Sequence, residues 1–97
     1  MSGSGEERSE SSFEIVNARG LHARAATKLV QTAGRFPCEV TLFGEDGEPV
    51  NGKSVMGVLL ICGAKGTVVR VRAQGPRSEE CVTAIGDLIA QKFGEGE

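Results

Sequence analysis

The stretch TVVRVRA, residues 67–73, carries the clearest secondary-structure pattern in the chain. Val69, Val71 and Ala73 alternate with two arginines, and a period of two places alternate side chains on opposite faces of a β-strand. The pattern therefore predicts a strand with one buried face and one solvated face. The apolar face of such a strand needs a second layer of structure to cover it.

Two amphipathic helices can supply that layer. The first starts at Ala23, and its apolar positions at helical spacing are Ala26, Leu29, Val30 and Ala33. The second follows Gly75 and Pro76, and its apolar positions are Val82, Ile85, Leu88, Ile89 and Phe93. Each pattern has the period expected of a helix with one buried face.

Shorter elements lie between them. Residues 13–16, 38–43 and 49–51 are predicted strands, and the apolar run at residues 54–61 is a predicted short helix. The order is strand, helix, strand, strand, short helix, strand, helix. It predicts an α+β fold, an open-faced two-layer sandwich in which a four-stranded sheet is covered on one face by two longer helices and one short helix.

The 97 residues suffice for one domain, and their charge is unevenly distributed. Residues 1–12 have no apolar residue after Met1, so we expect a disordered tail, and residues 95–97 are expected to be a frayed end. Residues 13–94 form the domain and hold ten basic and eight acidic groups, although the whole chain has a net charge of −2. Four basic residues and no acid fall within residues 19–35, around the chain's single histidine.

Several classes of protein are disfavoured by composition. No apolar run approaches the length of a membrane span and no signal-peptide pattern is present, so we expect a cytoplasmic protein without membrane insertion. Three cysteines without a CxxC pair argue against a disulfide framework or a structural zinc site. The scarcity of aromatic residues disfavours nucleic-acid binding. We expect a monomer without a metal or other cofactor.

The segment GLHAR, residues 20–24, has the composition of an anion site. Free N–H groups at a helix N-terminus attract anions, and the same positive end favours a neutral, nucleophilic His22. Arg24 can bind phosphate oxygens through two donors. Spacing alone leaves open a histidine that merely caps a helix on a basic face, which is the commoner case, and a metal site is poorer because no second histidine exists.

Four further segments accompany this motif: VNGKSVMG at 50–57, GAKG at 63–66, AQGP at 73–76 and FGE at 93–95. Together with GLHAR, they make residues 13–95 resemble the HPr family, the histidine phosphocarriers of the bacterial phosphoenolpyruvate:sugar phosphotransferase system. The resemblance implies an antiparallel sheet. It also implies that His22 takes phosphate from phosphorylated enzyme I and passes it to a IIA component, with Arg24 steadying the phosphoryl group. Ala25 replaces the proline usual in the family, which implies a looser arginine.

Ser54 has two compatible interpretations. Its position before the short helix predicts an N-cap. The resemblance implies, in addition, a regulatory phosphorylation site for HPr kinase/phosphorylase. The short helix also has too many apolar side chains for one buried stripe, which suggests an exposed docking patch.

The residues expected to dock partners are basic or apolar and lie near His22 or Ser54 in the sequence. They are Arg19, Lys28, Lys53, Val55, Met56 and Leu59.

Two functions other than phosphate transfer stay open. One is a regulatory interaction module that signals through phosphorylation of His22 and Ser54 without sugar transport, and the other is a plain ligand-binding domain.

Overall fold

The computed structural model describes residues 7–96 of the chain. The elements are strands β1 (Arg8–Glu14), β2 (Glu39–Phe43), β3 (Pro49–Asn51) and β4 (Val68–Gln74), and helices α1 (Ala23–Ala33), α2 (Val55–Leu59) and α3 (Ser78–Ala90). A 3₁₀ turn, Lys92–Gly94, follows α3. Their order confirms the predicted βαββαβα arrangement. Within residues 7–96 no helix has both the length and the hydropathy that crossing a membrane requires.

The four strands form one antiparallel sheet in the order β1-β4-β2-β3. The strand predicted from residues 67–73 lies at position two of this sheet, with β1 on one side and β2 on the other. Val69 pairs with Phe13 of β1, and Val71 pairs with Leu42 of β2. The predicted open-faced sandwich is therefore confirmed, with β4 joining the two ends of the sheet.

The core lies between the sheet and the helices. Val69, Val71 and Ala73 of β4 are fully buried, as the alternation predicted. Helix α1 contributes Ala25, Ala26, Leu29 and Ala33 to the core, and α3 contributes Cys81, Val82, Ile85 and Ile89. Full burial of a Val, Leu or Ile side chain stabilises the fold by about 1.5–3 kcal/mol, so this layer supplies most of the driving force.

The opposite face of the sheet carries a charged cluster. The guanidinium groups of Arg70 and Arg72 lie 4.0 Å and 4.8 Å from the ring centre of Phe43, which is only 8% exposed. Both arginines also donate to Glu10 of β1, at 2.9 Å and 3.1 Å. These hydrogen bonds, the one from Arg72 first, lower the pKa of Glu10 from its usual 4.5.

Strand β1 begins earlier than the sequence predicts. The disorder expected for residues 1–12 is wrong for residues 8–12, which pair with residues 70–74 of β4; residues 1–6 lie outside the described range. The Gly75 N–H also donates to the carbonyl of Glu7 at 2.7 Å. A segment poor in apolar residues becomes ordered here because β4 satisfies its backbone hydrogen bonds and Arg70 and Arg72 neutralise Glu10.

Glu10→Gln is expected to change the pH dependence of stability. Because folding lowers the pKa of Glu10, its ionised carboxylate stabilises the fold above the unfolded value of 4.5, and that contribution disappears as pH falls through the folded pKa. The variant should therefore unfold at a lower temperature than wild type at pH 7, and the difference should disappear as pH falls through the folded pKa.

The matched control is Glu14→Gln, on the same strand, because Glu14 is exposed and forms no ion pair with another described residue. Thermal unfolding followed by circular dichroism from pH 2 to pH 8 is the measurement. The difference should shrink in high salt because the cluster is solvent-exposed. Equal curves for Glu10→Gln and wild type would contradict the role of this cluster.

Candidate functional site

The loop between β1 and α1 is fixed by contact with the loop after α2. Gly20 has a φ of +66°, and a Cβ atom placed on it would lie 2.3 Å from the carbonyl oxygen of Gly63. The next residue, Leu21, donates its N–H to the same oxygen at 2.7 Å. Because only glycine fits this approach, the loop turns sharply and delivers His22 to the start of α1.

His22 is the N-cap of α1, with extended backbone angles φ −74° and ψ 178°. Its Nδ1 accepts a hydrogen bond from the backbone N–H of Arg24 at 3.3 Å, so Nδ1 carries a lone pair and the ring proton is on Nε2. The Nε2 atom contacts the carboxylate of Glu95. The side chain of His22 is 19% exposed and thus remains accessible from solvent.

Glu95 is ordered at this site, which makes the expectation of a frayed end at residues 95–97 wrong for this residue; Glu97 lies outside the described range. Its carboxylate accepts hydrogen bonds from His22 and, at 3.0 Å, from Nδ2 of Asn17. The pKa of Glu95 is lowered, chiefly by the hydrogen bond from His22 and then by that from Asn17. The carboxylate thus faces the imidazole as an anion over the neutral pH range.

Neither Asn17 nor Glu95 was singled out as a site residue from the sequence. Asn17 is fully buried, and its Nδ2 also donates to the carbonyl of Gly20 at 2.9 Å. The two residues are 78 positions apart, and no periodicity links positions so far apart. The only available signal was the FGE segment at residues 93–95, which the resemblance included without assigning it a role.

A hollow of about 370 Å³ adjoins Arg24 and Glu95, the two residues that bond to His22. Its lining includes Arg19, Arg24 and Lys28, three of the basic residues selected from the sequence, together with Gly94 and Glu95. Lys28 Nζ donates to the carbonyl of Phe93 at 2.6 Å, so one wall of the hollow is tied to the C-terminal segment. Three cations against one carboxylate give this hollow a net positive charge that suits a small anion.

Helix α2 starts at the predicted cap. Ser54 Oγ accepts a hydrogen bond from the Gly57 N–H at 3.1 Å. Of the apolar residues expected to dock partners, Met56 is 73% exposed, whereas Val55 and Leu59 are half-buried against the core. Leu60, one turn from Met56, is 74% exposed and was not selected from the sequence. The exposed apolar surface of α2 therefore consists of Met56 and Leu60.

Lys53 is placed differently from the other selected basic residues. Its Nζ donates to the carbonyl of Phe36 at 2.7 Å, and it does not line the hollow that adjoins Arg24 and Glu95. A second depression, about 540 Å³, is lined by Lys53 and residues of β2 and β3, but its lining includes neither Arg24 nor Glu95, the two residues that bond to His22. The smaller hollow is therefore the candidate anion site.

A metal site and chemistry at the two buried thiols have little support among the described residues. Residues 7–96 contain no cluster of three or more histidine, cysteine, aspartate or glutamate side chains placed to hold a metal ion. Cys38 and Cys81 are buried, and burial followed by contact with Cys38 raises the pKa of the Cys81 thiol to about 12. A thiol with so high a pKa is almost never ionised near neutral pH and is a poor nucleophile.

The fold and the site together define a class: a small open-faced sandwich that presents a histidine at a helix N-terminus beside a basic hollow. A family model described as the phosphorylation site of the HPr component of the phosphotransferase system matches residues 9–91. The chain belongs to the HPr family, the phosphocarriers of that system. The resemblance noted in the sequence is thereby confirmed.

Individual relatives agree over most of their length. The chain is 48% identical to phosphocarrier protein HPr of Neisseria meningitidis over 86 residues, which cover 89% of this chain and 96% of the relative. It is 42% identical to HPr of Pseudomonas aeruginosa over 83 residues, 86% of this chain and 92% of the relative. The crystal structure of HPr-C-His from Thermoanaerobacter tengcongensis superposes with a TM-score of 0.85 at 42% identity, covering 90% and 97% of the two chains.

Gly20→Ala is expected to destabilise the protein more than an alanine at another glycine of positive φ. Gly47 is the matched control, because its φ is +80° and a Cβ there would meet nothing within 4 Å. Gly47→Ala should cost about 1–2 kcal/mol for the backbone conformation alone. Gly20→Ala adds a backbone clash with Gly63 and should cost more than about 3 kcal/mol.

Urea denaturation of both variants measures these free energies of unfolding. The amide chemical shifts of His22 and Arg24 should also move in Gly20→Ala and stay unchanged in Gly47→Ala. Equal losses of stability in the two variants would show that the contact between Gly20 and Gly63 is unimportant.

Proposed function

We propose that His22 is the phosphoacceptor of a cytoplasmic carrier, taking phosphate from phosphorylated enzyme I and passing it to a IIA component. The observation that carries this proposal is the state of His22 Nδ1. This atom accepts a hydrogen bond from the Arg24 N–H at the N-terminus of α1, so it presents a lone pair. Arg24 and Glu95, which both bond to His22, line a hollow that also holds Arg19 and Lys28. The arrangement thus combines a nucleophile with an anion site.

In the proposed transfer, the Nδ1 lone pair of His22 attacks the phosphorus atom. A bond forms between nitrogen and phosphorus while the bond between phosphorus and its donor atom breaks, and that electron pair stays with the donor. The proton of His22 remains on Nε2 throughout. No oxidant, metal or further cofactor is required by this step, and the reverse step with a different acceptor returns the imidazole to its starting form.

The basic residues of the hollow have two roles in this proposal. Arg24 and Lys28 stabilise the phosphoryl oxygens, and the planar guanidinium of Arg24 can donate two parallel hydrogen bonds to them. Arg19 adds positive charge at the rim of the hollow. Such a local excess of positive charge speeds encounters with acidic partner surfaces, because charge steers association at long range.

The exposed apolar part of α2 completes the proposed docking surface. Met56 and Leu60 stand out from the helix, and α1 packs directly against α2. An apolar patch beside a charged rim is the usual composition of a protein–protein interface. We therefore propose that enzyme I and the IIA component use the same surface, formed by α1 and α2, at different times.

Ser54 lies at the start of the same helix, which supports a regulatory role. Phosphorylation by an HPr kinase/phosphorylase would place a charge of about −2 beside Met56 on the docking surface. That charge would weaken binding to acidic partners without touching His22. The alternative function, signalling without sugar transport, uses the same two phosphorylation sites and would be recognised by the absence of a IIA acceptor.

The phosphoacceptor role is tested with phosphoenolpyruvate and enzyme I. Wild type should gain one acid-labile, base-stable phosphate at His22, and His22→Ala should gain none. Arg24→Ala should be phosphorylated about 100-fold more slowly, because removal of one donor that stabilises a developing charge typically costs 10²–10³-fold in rate. Radiolabelling and mass spectrometry provide the measurement.

Arg35→Ala is the matched control for Arg24→Ala, because Arg35 is an exposed arginine beyond the opposite end of α1. It should retain a rate within about twofold of wild type. Phosphate on wild type at any residue other than His22, or no phosphate at all, would refute the proposed role.

Ser54 is tested with three variants that separate capping from charge. Ser54→Ala should lose about 1 kcal/mol of stability, because it removes the cap on the Gly57 N–H. Ser54→Asp and Ser54→Asn both retain an oxygen that caps the helix, and only the first adds a negative charge. We expect Ser54→Asp alone to slow phosphorylation of His22 by enzyme I.

The direct test incubates the protein with an HPr kinase/phosphorylase and ATP. Wild type should acquire an acid-stable phosphate that Ser54→Ala lacks. Absence of label in wild type, or equal rates for the Asp and Asn variants, would rule out regulation through Ser54.

A further inference from the structure

The segment after α3 has an unusual backbone. Lys92, Phe93 and Gly94 are consecutive and have φ values of 58°, 55° and 77°. Residues other than glycine seldom adopt this left-handed conformation, and two such residues in succession are rarer still. Strained backbone of this kind tends to persist where the surrounding structure holds it in place, often at functional sites.

Three contacts hold this turn. Phe93 is 1% exposed and packs within the core, so its side chain anchors the segment. Lys28 Nζ donates to the carbonyl of Phe93 at 2.6 Å. The Glu95 N–H donates to the carbonyl of Lys92 at 2.9 Å and closes the turn. The consequence of the turn is the delivery of the Glu95 carboxylate to His22.

The buried side chain of Asn17 holds the Glu95 carboxylate in place through a hydrogen bond. Its Nδ2 donates to Oε1 of Glu95 at 3.0 Å, while Oε2 of Glu95 faces Nε2 of His22. Asn17 is fully buried and is also bonded to the carbonyl of Gly20, so it cannot swing away freely. The two oxygens of Glu95 are therefore oriented by separate partners.

The contacts at the two ring nitrogens of His22 require the same tautomer. Nδ1 accepts from the Arg24 N–H, which requires a lone pair on Nδ1. The Glu95 carboxylate is an acceptor at Nε2, which requires a proton on Nε2. In the other tautomer both contacts would be repulsive, since two N–H groups would face each other at Nδ1 and two lone pairs would face each other at Nε2.

We infer that Glu95, held by Asn17 and by the left-handed turn at Lys92–Gly94, is a positioning residue that fixes the Nε2–H tautomer of His22 and directs the phosphoryl group to Nδ1. The part of this inference that concerns phosphotransfer rests on the proposed function. When the Nδ1–phosphorus bond forms, the ring retains the Nε2 proton and becomes cationic. The Glu95 carboxylate then faces that positive charge and stabilises the phosphorylated state.

Two substitutions at Glu95 separate its hydrogen bond from its charge. Glu95→Ala removes both the acceptor and the charge. Glu95→Gln retains an oxygen that can accept from Nε2 but carries no charge. Glu97→Ala is the control, since it removes another carboxylate two residues further along the chain. Thermal unfolding of each variant shows whether the fold is intact.

The first measurement uses the unphosphorylated protein and needs no partner. Nitrogen-15 chemical shifts of the neutral His22 ring report the populations of the two tautomers. We expect the Nδ1–H form to rise several-fold in Glu95→Ala and to remain at the wild-type level in Glu95→Gln and Glu97→Ala. Unchanged populations in Glu95→Ala would overturn the inference.

The second measurement follows phosphorylation by enzyme I and phosphoenolpyruvate. Glu95→Ala should react about 10- to 100-fold more slowly than wild type, the range found for metal-ligating histidines when the partner that orients the ring through its second nitrogen is removed. Glu95→Gln should fall between Glu95→Ala and wild type, because it keeps the tautomer and loses the charge. A wild-type rate in Glu95→Ala would contradict the inference even if the fold is intact.

Failure of the proposed function gives a different result. If wild-type protein accepts no phosphate at His22, the carrier role fails, while the tautomer populations still decide whether Glu95 positions the ring. If wild type is phosphorylated and the tautomer populations do not respond to Glu95, the carrier role stands and the positioning role fails.

Discussion

The contact between the Gly20 and Gly63 backbones is the constraint on which the site depends. At this point the loop leaving β1 lies against the loop leaving α2, with too little space for a side chain on Gly20. The Gly63 carbonyl accepts a hydrogen bond from the Leu21 N–H and so holds Leu21 in place. The next residue, His22, is thereby positioned as the N-cap of α1. A single close approach thus sets both the start of the reactive helix and its position relative to α2.

The C-terminal turn closes the site from the other side. Positive φ values at Lys92 and Phe93 cost about 1–2 kcal/mol each, and burial of the Phe93 ring offsets a cost of that size. Lys28 then joins the turn to α1, and Glu95 joins it to His22. The two ends of the domain meet at the imidazole, so strain in one segment helps to orient a side chain in another.

The structure agrees with the sequence where a local pattern was strong. Alternation at residues 67–73 predicted the buried and exposed faces of β4, and helical spacing from Ala23 predicted α1. It disagrees at β1, because the Ser- and Glu-rich segment has no local preference for order. There the order comes from β4, through its backbone hydrogen bonds and through the two arginines that meet Glu10.

The sequence by itself determined the α+β fold, the family, and the presence of His22 and Arg24 at the start of a helix, because short-range spacing and motifs encode these features. Only the tertiary structure decided that Asn17 and Glu95 complete the site. Their contact joins positions 78 residues apart and relies on a left-handed turn that propensity disfavours. It also decided that Met56 and Leu60 face outward while Val55 and Leu59 pack against the core, because all four are apolar and their composition alone does not separate them.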